Sequence, residues 1–238
     1  GTADISKFFL ESISSKHNVS AIVTMCDKPA LRGGKMKCPC VKSYALEHNI
    51  DCIQVEKFSD EIAQKIKSYG CDAGVVVSFG KIIPEKIFNI PKYGCFNIHF
   101  SLLPQYRGAS PVQQALIDGK NMTGVTSFCI EKGLDSGNIL LQTKVDIEDE
   151  DTAENLFKKL NISGVKLMNE TLDLLEKGTI ISKPQQGTPT FCSVFKKEDG
   201  RINWKKPADE IRNIFRGLIL WPGIFCIVKD GKLSGKTL

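Results

Sequence analysis

The 238-residue sequence predicts an α/β fold built on a doubly wound, mostly parallel sheet. Three observations carry that reading. Apolar, β-branched runs alternate with amphipathic segments through the N-terminal half. The runs are almost continuously apolar, which suits strands covered on both faces. Polar side chains gather at the C-terminal end of one run, where open α/β sheets hold their ligands.

Taken in order, residues 5–16 (ISKFFLESISSK) have helical spacing, and 19–25 (VSAIVTM) read as a strand. A helix over 41–49, a strand over 52–55 and a helix over 59–70 follow. Ser59 is the expected N-cap of that helix and Gly70 its C-terminal stop. Strands are predicted over 73–79 and 94–100, then a helix over 108–119 with Pro111 in its first turn. Residues 124–131 and 138–147 read as a strand pair around a loop, and 150–178 as a long amphipathic helix capped by Thr152. The polar stretch 182–190 reads as a linker. A helix from Pro207 to Leu218 precedes a strand–turn–strand pattern around Asp230-Gly231. The opening GTAD is a turn of the kind that follows a strand, so a first, central strand is expected ahead of residue 1.

Composition narrows the class. No apolar run approaches the roughly 20 residues that cross a bilayer, and Asp4 and Lys7 interrupt any signal-like run at the start. The net charge of +5 permits a polyanionic partner without requiring one. The nine cysteines are odd in number, and Cys52, Cys95 and Cys129 fall inside apolar runs. Free thiols in a reducing cytoplasm are expected. Cys38-Pro39-Cys40 lacks the spacing and the companion ligands of a zinc site, so no metal is expected.

Residues 96–111, FNIHFSLLPQYRGASP, break an apolar strand with Asn97, His99 and Ser101, which alternate with Ile98 and Phe100. Alternation puts the three polar side chains on one face. By periodicity alone the pattern also suits a core histidine bonded to a neighbour. A second polar signal is KGLDSGNI (132–139), with Asp135 between two glycines that let the backbone bend tightly. An Asp so placed is ordinarily a turn residue. Folded over the strand end, it would meet His99, orient the imidazole and favour its protonated form. Asn97 would then donate its amide hydrogens to a developing oxyanion. No nucleophile elbow accompanies the set, so direct transfer between two bound substrates is expected.

Residues 96–140 closely resemble the signature of the formyltetrahydrofolate-dependent transferases: Asn-x-His, Ser-Leu-Leu-Pro and a distal Asp-x-Gly, in order and spacing. The resemblance implies a Rossmann-like formyltransferase domain with Asn97, His99 and Asp135 as its catalytic set. Ser101, Leu102, Leu103 and Pro104 match the folate-binding stretch. Within 75–84, Phe79, Gly80, Ile82 and Ile83 match the loop whose backbone lines the pterin pocket. The implied formyl donor is 10-formyltetrahydrofolate. Two departures stand out: Ala3 replaces a common proline, and Phe100 replaces a small residue and is expected to face away from the site.

The loop LRGGKMKCPCVK (31–42) holds Arg32, Lys35, Lys37 and Lys42, with two glycines and no acid. It matches a basic loop found in the branch of the family that acts on initiator methionyl-tRNA. These four residues are the expected RNA contacts, Arg32 foremost. The resemblance also implies a catalytic domain over 1–181, a linker over 182–200, and the start of a small C-terminal β-barrel domain over 201–238. A cytoplasmic monomer is expected. Related chemistry leaves other outcomes open: an amino-sugar nucleotide as acceptor, a formyltetrahydrofolate hydrolase domain, or an idle RNA- or folate-binding module.

Overall fold

The computed structural model describes residues 1–29, 36–228 and 237, with residues 28, 29, 36 and 37 described by backbone alone. In chain order the elements are α1 (Ile5–Ser14), β1 (Ala21–Met25), β2 (Lys28–Pro29), β3 (Met36–Lys37), α2 (Cys40–Glu47), β4 (Asp51–Val55) and α3 (Asp60–Ser68). Then come β5 (Gly74–Val76), α4 (Glu85–Phe88), β6 (Cys95–His99), β7 (Arg107–Gly108), α5 (Pro111–Ile117), β8 (Met122–Cys129) and β9 (Ile139–Asp146). Helix α6 (Ala153–Glu176), β10 (Phe191–Cys192), a 3₁₀ turn at Lys197–Gly200 and α7 (Ala208–Leu218) complete the order. The predicted Asp230-Gly231 turn lies outside the described residues.

The chain forms two compact units. The first comprises Gly1–His99, Thr126–Leu141 and Gly164–Gln185. The second comprises Phe100–Val125, Gln142–Ser163 and the described residues from Gln186 onward.

In the first unit β1 pairs with β4 in parallel, from Ala21 opposite Asp51 to Met25 opposite Val55. Period-2 alternation sends their apolar side chains to two cores. Ile22 joins Leu10, Val41, Tyr44 and Ala45 on one face. Ile53 and Val55 join Phe79 and the apolar stripe of α3 on the other. The sheet is thus covered on both sides, as the continuous apolar runs predict. Helix α3 starts where predicted: Ser59 Oγ accepts from Ile62 N at 3.3 Å. Asp60 and Glu61 in its first turn and Lys65 and Lys67 in its last complement the helix dipole. Gly70, at φ +59, ends it in the left-handed region.

A further sheet has the order β5-β6-β8-β9. Strand β5 pairs with β6 in parallel, and β6 with β8 antiparallel. The predicted parallel character therefore holds for β1–β4 and β5–β6 and stops at β8. Side-chain alternation is the same for both senses of a strand, so the pattern carried no information on that reversal. A cavity of about 710 Å³ is lined by residues that include Phe9 of α1, Ile22 and Val23 of β1, Val75 of β5 and Val77 just after it. Asn97, His99 and Asp135 are not among its lining residues.

In the second unit α5 and α7 approach closely. A Cβ on Gly217 would lie 2.8 Å from Ile117 Cγ1 and 2.9 Å from the Gln113 carbonyl oxygen. Arg216 is buried beside this contact. Its guanidinium donates to the carbonyl oxygens of Asp151 (2.7 Å) and Glu148 (3.1 Å) and to Asn213 Oδ1 (3.3 Å). Phe100 is buried and packs edge-on to Phe157, ring centroids 6.2 Å apart.

Arg216→Leu removes buried, charge-assisted bonds of a kind that contribute about 1.5–3 kcal/mol each. The midpoint of urea unfolding is expected to fall accordingly. Arg212→Leu, which breaks an exposed pair with Glu150, is expected to change stability by no more than about 1 kcal/mol.

Candidate active site

Strand β6 sets two of the predicted side chains. Its register places Asn97 opposite Phe128 and His99 opposite Thr126 on β8, while Ile98 stands opposite Ser127 on the other face. The predicted alternation is therefore realised, and Asn97 and His99 share a face. His99 is buried. Phe128 meets its ring edge-on, centroids 6.3 Å apart and planes at 88°. Asn97 is half-buried, and its Oδ1 is buried without a hydrogen-bond partner.

Asp135 reaches His99 from far along the chain. Its Oδ2 lies 3.7 Å from His99 Nδ1, with side-chain exposures of 15% and 7%. Burial of both groups strengthens their attraction over that of an exposed pair. The backbone makes the approach possible. Asp135 sits at φ +46, in the left-handed region that Asp tolerates better than most residues. At Gly137 a Cβ would collide with the Cys129 carbonyl oxygen, so the loop passes where only glycine fits. The loop mouth closes through Cys129 N to Asn138 O at 2.9 Å.

Of the residues matched to the pterin loop, Phe79 is buried with Val55, and Ile83 packs half-buried against the same cluster. Ser78 (φ +45) and Gly80 (φ +78) turn the chain sharply after β5. Thr2 N and Thr2 Oγ bond the carbonyls of Ser78 (3.1 Å) and Phe79 (3.2 Å), fixing the turn. Ile82 projects outward, 92% exposed. Because β5 and β6 are parallel, this turn leaves the same sheet edge toward which Asn97 and His99 lie.

The residues matched to the folate stretch belong to the second unit. Ser101 Oγ donates to the Gln105 carbonyl at 2.6 Å. Gln142 Nε2 donates to the Leu103 carbonyl at 2.9 Å, and Leu103-Pro104 is a cis peptide. Leu102 packs on Gly124, where a Cβ would clash with it.

The basic loop is only partly described. Strands β2 and β3 pair antiparallel, Lys28 opposite Lys37. Arg32 and Lys35 lie outside the described residues, as does the side chain of Lys37. Lys42 Nζ pairs with Asp27 Oδ2 at 2.7 Å, and Gln54 Nε2 donates to Asp27 Oδ1 at 2.7 Å. These two bonds, Lys42 first, hold the Asp27 carboxyl below its usual range, and the bond to Asp27 holds the Lys42 ammonium above its own. Lys42 thus ties down the base of the loop.

Gln185 escaped the sequence reading. It sits in the polar stretch taken for a linker, yet its Nε2 donates to the carbonyls of Asp135 and Gly137, 2.8 Å each. No local pattern announces a bond spanning some fifty residues. Among the described residues no group of three or more His, Cys, Asp or Glu is placed to hold a metal ion. No helix among them is long and apolar enough to cross a membrane.

The chain matches the Formyl transferase family over residues 2–172 and the Formyl transferase C-terminal domain over 195–236. It belongs to the formyl transferase family. The methionyl-tRNA formyltransferase of Endomicrobium trichonymphae is 50% identical over 238 residues, covering all of this chain and 76% of that protein. The one from Thermodesulfovibrio yellowstonii is 44% identical over 93% of this chain and 72% of its own length. Among solved structures, a 4-N formyltransferase from Francisella tularensis shares the fold, with TM-score 0.74 at 19% identity, over 98% of this chain and 91% of that one. An N-formyltransferase from Helicobacter canadensis, solved with folinic acid and dTDP-3-aminofucose, gives 0.70 at 23%, over 92% and 79%.

Two outcomes follow from this geometry. Gly137→Ala forces the loop off Cys129 and is expected to cost about 1–3 kcal/mol in thermal or urea unfolding, whereas Ser136→Ala is expected to be near neutral. For Asp27 the folded pKa is depressed below 3.8. Its stabilising contribution is thus complete above that value and is lost as pH falls through the lower folded value. Carboxyl NMR is expected to show the Asp27 midpoint below 3.8, and Lys42→Met is expected to raise it.

Proposed function

We propose that this chain transfers the formyl group of 10-formyltetrahydrofolate to the α-amino group of methionine esterified to initiator tRNA. The observation that carries the chemistry is the buried His99–Asp135 pair beside Asn97 on one strand face. The acceptor is supported by relatives of that activity at 50% and 44% identity over nearly the whole chain. The donor fits the polar inventory. The Asn97 amide oxygen has no hydrogen-bond partner in the protein, and the −NH₂ of the same amide carries the N–H donors that an incoming carbonyl needs.

The donor supplies an activated formyl group on nitrogen. The methionyl amine, neutral when it attacks, forms the new C–N bond. The bond from the formyl carbon to the folate nitrogen breaks, and that nitrogen keeps the electron pair and takes a proton. The amine gives one up. An aminoacyl ester amine is more acidic than an ordinary amine, so its neutral form is accessible near neutral pH. Negative charge grows meanwhile on the formyl oxygen. Asn97 donates a hydrogen bond to it, and His99 assists both charge and proton movement. Asp135 sets the orientation of the imidazole and favours its charged form.

The domain limits belong to the same proposal: a catalytic domain over 1–181, a linker over 182–200, and a C-terminal domain beginning at 201. The family matches over 2–172 and 195–236 support them. Phe79, Gly80, Ile82 and Ile83 with Ser101–Pro104 hold the folate. Arg32, Lys35, Lys37 and Lys42 contact RNA phosphates, Lys42 while paired with Asp27. The reaction takes place in the cytoplasm, with the charged tRNA.

The decisive assay is formylation of charged initiator tRNA by full-length protein, with an amino-sugar nucleotide as the competing acceptor. Asn97→Ala is expected to lower the rate by about 10²–10³, with His99→Ala and Asp135→Ala also strongly impaired. Wild-type rates in all three variants, or transfer to the sugar alone, would overturn the proposal. Arg32→Ala is expected to weaken tRNA binding and flatten its salt dependence by about one charge.

A further inference from the structure

The loop that carries Asp135 is gripped by a segment some fifty residues away. Lys183 exchanges two backbone bonds with Ile139, 2.7 and 2.8 Å. Gln185 then spans the bend itself, its single Nε2 donating to the carbonyl oxygens of Asp135 and Gly137. We propose that Gln185 is a positioning residue for Asp135, and through it for His99. This inference rests on the catalytic roles proposed above for those two residues.

The physical case starts from the bend. Asp135 occupies the left-handed region, which costs a residue with a Cβ about 1–2 kcal/mol relative to the right-handed one. Such a conformation persists when its surroundings over-determine it. The −NH₂ group of Gln185 reaches both carbonyls only while they point to the same side. In that arrangement the 135–136 and 137–138 peptide groups, to which those carbonyls belong, cannot turn independently. The Asp135 Cα is thereby held in place, and its carboxylate is directed at the imidazole, Nδ1–Oδ2 3.7 Å. Without the donor, two carbonyls lose a partner, and Asp135 can leave the left-handed region, which redirects its carboxylate. Gly137, where a Cβ would strike Cys129, limits the loop on its other side. Gln185 is also the last residue of the first unit before the chain enters the second.

The test compares three Gln185 variants with Asp135→Asn in full-length enzyme. Gln185→Met keeps the length and removes the amide, donor and acceptor alike. Gln185→Glu keeps the shape and sets a carboxylate against two carbonyls. Gln185→Ala removes the reach. Expected is a kcat loss of up to roughly 10²-fold, with KM for both substrates within about twofold and an unfolding midpoint near wild type for Gln185→Met. Combining Gln185→Met with Asp135→Asn is expected to lower kcat no further than Asp135→Asn alone, as coupled residues require. A purely structural role would instead lower stability and multiply with Asp135→Asn. Wild-type kcat in Gln185→Met and Gln185→Glu, or a multiplicative double variant, would overturn the inference while leaving the proposed function standing. Wild-type kcat in Asp135→Asn itself would remove both this inference and the catalytic role proposed for Asp135.

Discussion

An imidazole and a carboxylate meet 3.7 Å apart in a mostly buried site, and most of what surrounds them serves that meeting. Burying charge is costly unless it is paired. The pair must therefore form in full or the site is destabilised. Two backbone constraints bring it about. A parallel strand ends with its polar face turned to one side, and a glycine-flanked bend takes up a left-handed conformation at residue 135. Neither residue is near the other in sequence, so the pair exists only in the folded chain.

The sheet explains why the pair can be chemical as well as structural. Strands β5 and β6 run parallel, so the turn after β5 and the end of β6 reach one edge together. Parallel sheets covered on both faces leave their strand ends as the place where polar groups can face a ligand. There Asn97 keeps an amide oxygen without a protein partner, while Phe128 closes one side of the imidazole. An amide that the protein leaves uncommitted at its oxygen, beside a buried imidazole–carboxylate pair, suits a carbonyl whose oxygen gains charge during reaction.

Much of this was legible in the residues. The alternation of Asn97, Ile98, His99 and Phe100 fixed which side chains share a face, because the strand period is two. Ser59 and Gly70 marked the limits of α3 through capping chemistry that is local. Asp135 was legible only as a flexible acid between glycines. That it turns toward His99 rests on tertiary closure, which the family resemblance supplied and periodicity did not. The antiparallel sense of β8 left no trace in side-chain pattern. Gln185 left none either, since one amide bridging two distant carbonyls looks like any polar residue of a linker. Lys42 is legible as one of four cations in the basic loop, but not its pairing with Asp27, just outside that loop. Pairing across a loop base depends on geometry that charge counting does not contain.

The central claim is that the formyl group is processed on the face shared by Asn97 and His99. A crystal structure of the full-length protein with a non-transferable formyl-folate analogue tests it most directly. The predicted result places the formyl oxygen about 2.7–3.1 Å from the Asn97 amide, beside the His99 ring, with Asp135 still against the imidazole. A formyl group seated elsewhere, with Asn97 and His99 out of its reach, would contradict it.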